Sequence, residues 1–245
     1  MKRIKPLEQV YSSYKGEDFL VWKTLYCRQM EVLSKKASND FLIAVKNIGF
    51  TPEKIPDFNE VNDRLMNFTG WKLLTVPCIS PAEEFFNHLS EKKFTATCWI
   101  RKLSELDYLE EPDMFHDVFG HAPLLTNTDY CDFFHTIGII ATKHIHNEQI
   151  IKMLQRLYWF TIEFGLIEEQ GELKVYGAGI ISSKDETTNA FSNKSRKINF
   201  NVREIMNQEF QTGILQEKYF VINTFKQLKD SIKEIEEEIK SVIEI

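Results

Sequence analysis

The chain is poor in several things that would assign it to a familiar class. Its four cysteines, Cys27, Cys78, Cys98 and Cys131, stand far apart with no C-x-x-C pair. That spacing argues against a zinc site and gives no disulfide framework. They read as free thiols of a reducing cytosol that behave as small buried hydrophobes. No apolar run approaches the roughly 18 residues of a membrane span. The basic N-terminus MKRIKPLEQVYSSYKGEDF is followed by no apolar stretch of the kind a secretory signal carries. Positive charge is short as well. Thirty Lys and Arg against 36 Asp and Glu give a formal net charge of -6, and no basic stripe offers a surface to a nucleic-acid backbone. No repeat, low-complexity tract or cluster of its ten glycines and seven prolines marks a linker.

What is present is apolar and aromatic. Of 245 residues 43% are hydrophobic and 13% aromatic, with 19 phenylalanines. That is ample for one well-packed domain, and residues 1–245 are read as a single domain whose first ten residues are loose. Apolar periodicity predicts helices over Phe19–Leu33, Phe41–Ile48 (capped by Ser38, ended by Gly49) and Asn59–Phe68 (closed by Gly70). Ser80-Pro81-Ala82-Glu83-Glu84 reads as a helix start with a serine cap and proline at the first position. FTATCWI alternates like a strand. Further helices are expected around Met114–Phe119, Tyr130–Ala141 and Gln149–Phe164. LKVYGAGIISS reads as strand then turn, and a last helix runs from Thr224 to the end. The fold class is mainly α with a few short β-strands. In the last helix Phe225, Leu228, Ile232, Ile235, Ile239 and Val242 step by 3 and 4, which reads as a stripe packed on its own domain and favours a monomer over a dimer.

Histidine is scarce, yet two of the six lie in EEPDMFHDVFGHAPLL. An α-helix turns about 100° per residue, so His116 and His121 would sit roughly 140° apart on a regular helix. Gly120 and Pro123 suggest that the helix ends there and turns His121 back toward His116. A third ligand is offered by LYWFTIEFGL, where Glu163 stands among Trp159, Phe160, Ile162 and Phe164. Burying a carboxylate there is costly unless it is paired or bound to a metal. Two histidines and one carboxylate leave open positions on an octahedral ion, the facial pattern of non-haem iron(II) oxygenases. Taken singly, each residue has a blander reading: two histidines around a glycine are more often not ligands, and Glu163 alone reads as a paired helix residue. His88, His135, His144 and His146 are read as ordinary histidines. A zinc hydrolase would show H-E-x-x-H, which is absent.

The blocks VWKTLYCRQMEVL, FTGWKLLTVP, CWIRKLSELDYLEEPD, EEPDMFHDVFGHAPLL, LYWFTIEFGL and VYGAGIISS, in this order, resemble the tetrahydropterin-dependent aromatic amino acid hydroxylases, bacterial phenylalanine hydroxylases in particular, over roughly residues 10–230. The resemblance implies that fold, with no regulatory domain of the animal kind. It implies Fe(II) on His116, His121 and Glu163, a tetrahydropterin co-substrate, and O2-dependent hydroxylation of L-phenylalanine to L-tyrosine in the cytoplasm. It places the substrate carboxylate on Arg101, the ring between Pro112 and Trp159, and Gly179 and Ser182 on the substrate side. Ser182 would also orient an iron-bound histidine. Phe85, Asp117 and Tyr158 fall on pterin-side positions. Two departures stand out: Asp117 where animal members carry glutamate, and Leu109 where they carry a threonine near the substrate carboxylate. Tryptophan as substrate, or attack at the meta position, is the near alternative. A non-catalytic metal- or pterin-binding protein is the distant one.

Overall fold

The structure, a computed structural model, describes residues 5–107 and 109–244. Among the described residues, eleven α-helices and six short strands follow in the order α1 (Gly16–Lys36), α2 (Asn39–Asn47), α3 (Phe58–Phe68), β1 (Lys72–Thr75), α4 (Ala82–Ser90), β2 (Lys93–Ala96), α5 (Thr128–Lys143), α6 (Glu148–Tyr158), β3 (Leu166–Glu169), β4 (Glu172–Val175), α7 (Ala178–Ile181), α8 (Lys184–Ala190), β5 (Arg196–Asn199), α9 (Val202–Asn207), β6 (Lys218–Ile222), α10 (Phe225–Asp230) and α11 (Ile232–Ile243). Two π-helical turns, Phe115–His121 and Trp159–Glu163, carry the residues of greatest interest.

Local chemistry explains most boundaries. Asp18 accepts the Lys15 amide at 2.8 Å, and acids open and lysines close α1, in line with the helix dipole. Val21, Trp22, Leu25, Gln29 and Leu33 of α1 face inward. Ser38 caps α2 through the Phe41 amide, Asn127 caps α5 through Tyr130, and Asn147 caps α6 through Gln149 and Ile150. The two-residue turn Gln170–Gly171 has φ of 54° and 79°, which suits the twist of the β3–β4 hairpin it closes.

The sheet was the least legible part of the sequence. Strands order β4-β3-β6-β5, with β3 and β4 antiparallel but β3–β6 and β5–β6 parallel; β1 and β2 form a separate parallel pair. Between the elements runs one aromatic core. Phe115 and Phe119 stack at 4.6 Å, and the Trp22 and Phe41 rings meet them edge-on. A fully buried phenylalanine contributes about 1.5–3 kcal/mol, so these two rings anchor the first π-turn from beneath.

Several expectations need correction. The segment around Met114–Phe119 is not an α-helix ending at Gly120. It is a π-turn that continues through His121 into a 3-10 turn, Pro123–Thr126. Pro81, with ψ of 149°, is itself the residue before α4, and no side chain caps that helix. FTATCWI pairs only as far as Ala96. The terminal helix is two helices broken at Ser231; its stripe packs inward, with Phe225, Leu228, Ile235 and Ile239 buried and Ile232 and Val242 partly so. All four cysteines are free, but Cys27 and Cys78 are exposed rather than buried. Residues 1–4 of the expected loose segment lie outside the described residues. Within the rest of it Gln9 donates to the Pro56 carbonyl at 2.9 Å and accepts the Phe58 amide at 2.7 Å, while Leu7 and Val10 are exposed.

Candidate active site

The two π-turns bring His116, His121 and Glu163 together. A π-turn closes its ring over five residues rather than four; the Phe164 amide reaches the Trp159 carbonyl at 2.9 Å. Residues five apart therefore stand one turn apart on the same side, and the His116–His121 spacing needs no helix end. Gly120 serves closeness instead. A Cβ there would come within 3.0 Å of the Ala178 side chain and 3.1 Å of its carbonyl oxygen, so α7 lies directly on the turn. On the other turn, a Cβ at Gly177 would meet the Glu163 carbonyl oxygen at 2.4 Å.

Nε2 of His121 lies 3.1 Å from Glu163 Oε1, and Nε2 of His116 lies 3.5 Å from Oε2. The candidate donor atoms of the three residues lie within 4.8 Å of one another, the one such His/Cys/Asp/Glu group among the described residues. Burial works to raise the Glu163 carboxyl, but the two imidazoles outweigh it and hold it well below the usual range. Burial likewise disfavours a charged His116, yet Glu163, then Asp117 and Asp113, lift its pKa to about 8. The carboxylate thus favours positive charge on the side of the ring nitrogens. Ligands at about 2.1 Å on adjacent octahedral positions sit about 3 Å apart, which the 3.1 and 3.5 Å separations match. The donor set of two imidazoles and one carboxylate suits ferrous iron.

The rings are held for that purpose. His116 Nδ1 is 2.9 Å from Ser182 Oγ at the end of α7. With Nε2 facing an ion, Nδ1–H is the donor of that bond. His121 Nδ1 is buried without a partner among the described residues. Its ring is fixed by packing, 4.6 Å from Phe94 and 6.3 Å from Tyr158.

Two cavities meet at His116. One, about 370 Å³, is lined by Phe85, Phe94, Asp117, His121, Tyr158 and Glu163 among others. The second, about 460 Å³, is lined by Arg101, Leu109, Gly179, Ser182 and Glu186 among others. Pro112, His116, Trp159 and Thr212 line both. The expected pterin-side residues all fall in the first cavity and the expected substrate-side residues in the second, with Pro112 and Trp159 forming the shared wall. Phe85 stands edge-on to Tyr158 at 5.2 Å, whose phenol is pushed up first by burial and then by the Glu163 carboxylate. Asp117 accepts from the Thr97 amide at 2.7 Å and the Thr97 hydroxyl at 2.8 Å; burial nevertheless raises its pKa.

Arg101 is held by a partner the sequence reading missed. Asp113 accepts from its Nε at 2.9 Å, its Nη2 at 2.8 Å and its backbone amide at 2.9 Å. Burial pulls the Asp113 carboxyl upward, but the Arg101 bonds hold it below its usual value. The signal was present, since Asp113 adjoins Pro112 in EEPD. The loop between α9 and β6 was also missed. It carries Phe210, stacked 4.5 Å from Trp159, and Thr212, and nothing local in its sequence marks it as a cavity wall.

Comparison with known proteins gives this geometry a context. The family model described as biopterin-dependent aromatic amino acid hydroxylase matches residues 2–245. A phenylalanine-4-hydroxylase of Chromobacterium violaceum is 41% identical over 226 residues, 92% of this chain and 76% of the relative. One from Pseudomonas aeruginosa is 39% identical over 224 residues, 91% of this chain and 85% of the relative. The solved Chromobacterium violaceum phenylalanine hydroxylase with bound iron(III) and 7,8-dihydrobiopterin superposes with a TM-score of 0.89 at 39% identity, covering 95% of this chain and 85% of that one.

Proposed function

Because the chain belongs to the biopterin-dependent aromatic amino acid hydroxylase family, we propose that it is an iron- and tetrahydropterin-dependent monooxygenase converting L-phenylalanine to L-tyrosine with O2. The observation that carries this reading is the meeting of two cavities at a buried two-histidine, one-carboxylate site. Iron held there would activate O2, with the pterin as electron donor, so that one of the two oxygen atoms of O2 could enter the ring.

His116, His121 and Glu163 hold the metal and leave one face open. Ser182 keeps the His116 ring in its ligating orientation, supported by the 2.9 Å contact. Phe85 and Tyr158 form the aromatic wall against which the pterin lies, with Asp117 beside it as a fixed acceptor. In the second cavity Arg101 grips the substrate carboxylate with the guanidinium edge that Asp113 leaves free. Pro112 and Trp159 flank the aromatic ring, and Gly179 leaves room because a side chain there would meet Phe164 at 2.7 Å. Leu109 offers no hydroxyl to the substrate, so Arg101 carries more of the charged-end recognition. A ring without polar atoms is positioned by shape and by its amino acid end. The described chain acts as one catalytic domain, working as a cytoplasmic monomer. That reading is supported by four free cysteines and by the C-terminal stripe turned into its own core. No helix among the described residues is long and apolar enough to cross a membrane.

The test is product analysis by mass spectrometry. Iron-loaded protein receives O2, a tetrahydropterin and equal phenylalanine, tyrosine and tryptophan. Tyrosine from labelled phenylalanine, formed only with pterin, is the expected result. Hydroxytryptophan or meta-tyrosine would move the substrate or ring position. No product, with iron demonstrably bound, would overturn the enzymatic reading in favour of a binding protein.

A further inference from the structure

We propose that Gln216, far from the metal ligands in sequence and on neither wall of the site itself, is the positioning residue that fixes Trp159 and the Phe210–Leu215 loop against the substrate ring. The inference rests on the phenylalanine reading above and adds a residue to it.

Trp159 separates the two cavities, and an indole turned by one rotamer would open both. Phe210, stacked at 4.5 Å, and Phe164, tilted at 4.6 Å, fix the tilt of the indole, but neither ring offers an acceptor to its N–H. The in-plane anchor is a hydrogen bond from Trp159 Nε1 to Gln216 Oε1 at 2.9 Å. The other end of the same amide donates to the Ile214 carbonyl at 3.2 Å and, at the long limit, to the Gln211 carbonyl at 3.4 Å. One buried side chain thus ties the dividing tryptophan to the loop that bears Phe210 and Thr212.

An anchor works only if it is itself fixed. The Gln216 backbone is held at both of its polar groups from α8: its amide donates to Glu186 Oε1 at 3.1 Å, and its carbonyl accepts from Asn189 Nδ2 at 2.7 Å. Tyr219, three residues on in β6, donates its hydroxyl to the same Glu186 oxygen and accepts from Asn189 at 2.9 Å. This closed network has a satisfied partner at each of those contacts, the condition under which buried polar groups rigidify rather than destabilise. A polar cluster that only filled space would not need to end on the indole of the substrate wall.

The experiment is a double-mutant cycle with Gln216→Leu and Trp159→Phe, read by phenylalanine affinity in calorimetry on the iron-loaded protein and by tyrosine formed per pterin oxidised. Gln216→Leu is expected to weaken phenylalanine binding about five- to tenfold and to lower the coupling of pterin oxidation to tyrosine. Added to Trp159→Phe, which already lacks the indole N–H, it should cost markedly less. Gln216→Glu keeps an acceptor for the indole but sets a carboxylate oxygen against the Ile214 and Gln211 carbonyls, so it should hold the indole, lose the loop tie and bind phenylalanine with an affinity between those of wild type and Gln216→Leu; it also guards against Gln216→Leu failing to fold. In a nitrogen–proton correlation spectrum the Trp159 indole signal should move in Gln216→Leu and stay in Gln216→Glu. Full additivity in the cycle, or an unmoved indole signal, overturns the proposal. So does an equal loss of affinity in the Glu and Leu variants. Wild-type protein that forms no tyrosine would instead sink the functional reading, and this result is separable because the cycle is scored only against an active wild type.

Discussion

Asp113→Asn tests how the substrate end of the site is built. The wild-type carboxylate is fully buried and takes three bonds from Arg101, with a fourth, longer contact from the His116 amide at 3.3 Å. Asparagine has nearly the same shape but only one acceptor atom. If its amide nitrogen takes the place of Oδ1, it faces Arg101 Nη2 and the His116 amide; if it takes the place of Oδ2, it faces Arg101 Nε and the Arg101 amide. Either way two donors lose their acceptor and a buried guanidinium loses its counter-charge. Breaking a buried pair in this manner costs about 3–5 kcal/mol, which for a chain of this size lowers Tm by roughly 6–20 °C. The acid side gives a second signature. The folded pKa of Asp113 is depressed, so its contribution is fully present above the unfolded value of about 3.9 and is lost as pH falls toward the folded value. The gap in Tm between wild type and variant should therefore narrow below about pH 4. Thermal melts across that range, with the KM for phenylalanine at neutral pH, are the assay. A variant that melts within about 2 °C of wild type, or a gap that widens in acid, would refute the assignment of Asp113 as the clamp of Arg101.

Three further substitutions probe the metal face. Glu163→Gln should lose iron by more than about 100-fold in affinity, since removing mere outer partners of a metal site costs 10–100-fold; metal analysis after dialysis reads it, and retained iron with wild-type turnover would contradict the ligand role. Ser182→Ala removes the 2.9 Å contact to His116 Nδ1 and should weaken iron binding or turnover by about 10–100-fold while leaving Tm within a few degrees. Gly120→Ala drives a methyl to 3.0 Å from Ala178, an overpacking of about 1–3 kcal/mol; differential scanning calorimetry should show the loss, and an unchanged Tm would mean α7 yields freely.

The ligand triad was legible because its residues are chemically out of place. Two of six histidines lie in one apolar run, and Glu163 lies among aromatic neighbours. Helices with strong caps, such as α2 behind Ser38, were legible for a local reason too, since the cap and the orphan amides it satisfies lie three residues apart. What escaped is non-local. Leu166 of β3 pairs with Val221 of β6, and no property of either segment announces a parallel partner so distant in the chain. The Gln216 contact to Trp159 is equally remote. Pro81 shows a smaller failure: its ring permits both the first helical position and the extended residue before it, and its ψ of 149° places it in the second.

The π-turns explain why the five-residue spacing misled. Reasoning on α-helical geometry, a glycine had to break the helix for His121 to reach the side of His116. Widening the turn by one residue achieves the same without a break, because an extra residue rotates everything beyond it by about 100°. The same device acts at Glu163. Helix α6 runs regularly to Tyr158 with its apolar face inward, and a continued α-helix would leave the carboxylate out of register with the histidines. The widened turn from Trp159 to Glu163 swings the carboxylate onto them while Phe160 and Ile162 stay buried. The weaker hydrogen bonding of a π-turn is offset at both places by packing: the Phe115–Phe119 stack beneath one, and the close approach of Gly177, just before α7, and Gly179 on it to the other. Helix α7, barely one turn long, touches both turns and ends on Ser182, the partner of His116. The short segment GAGIIS therefore sets the distance between the two halves of the metal site, and the glycines in it serve that distance rather than flexibility.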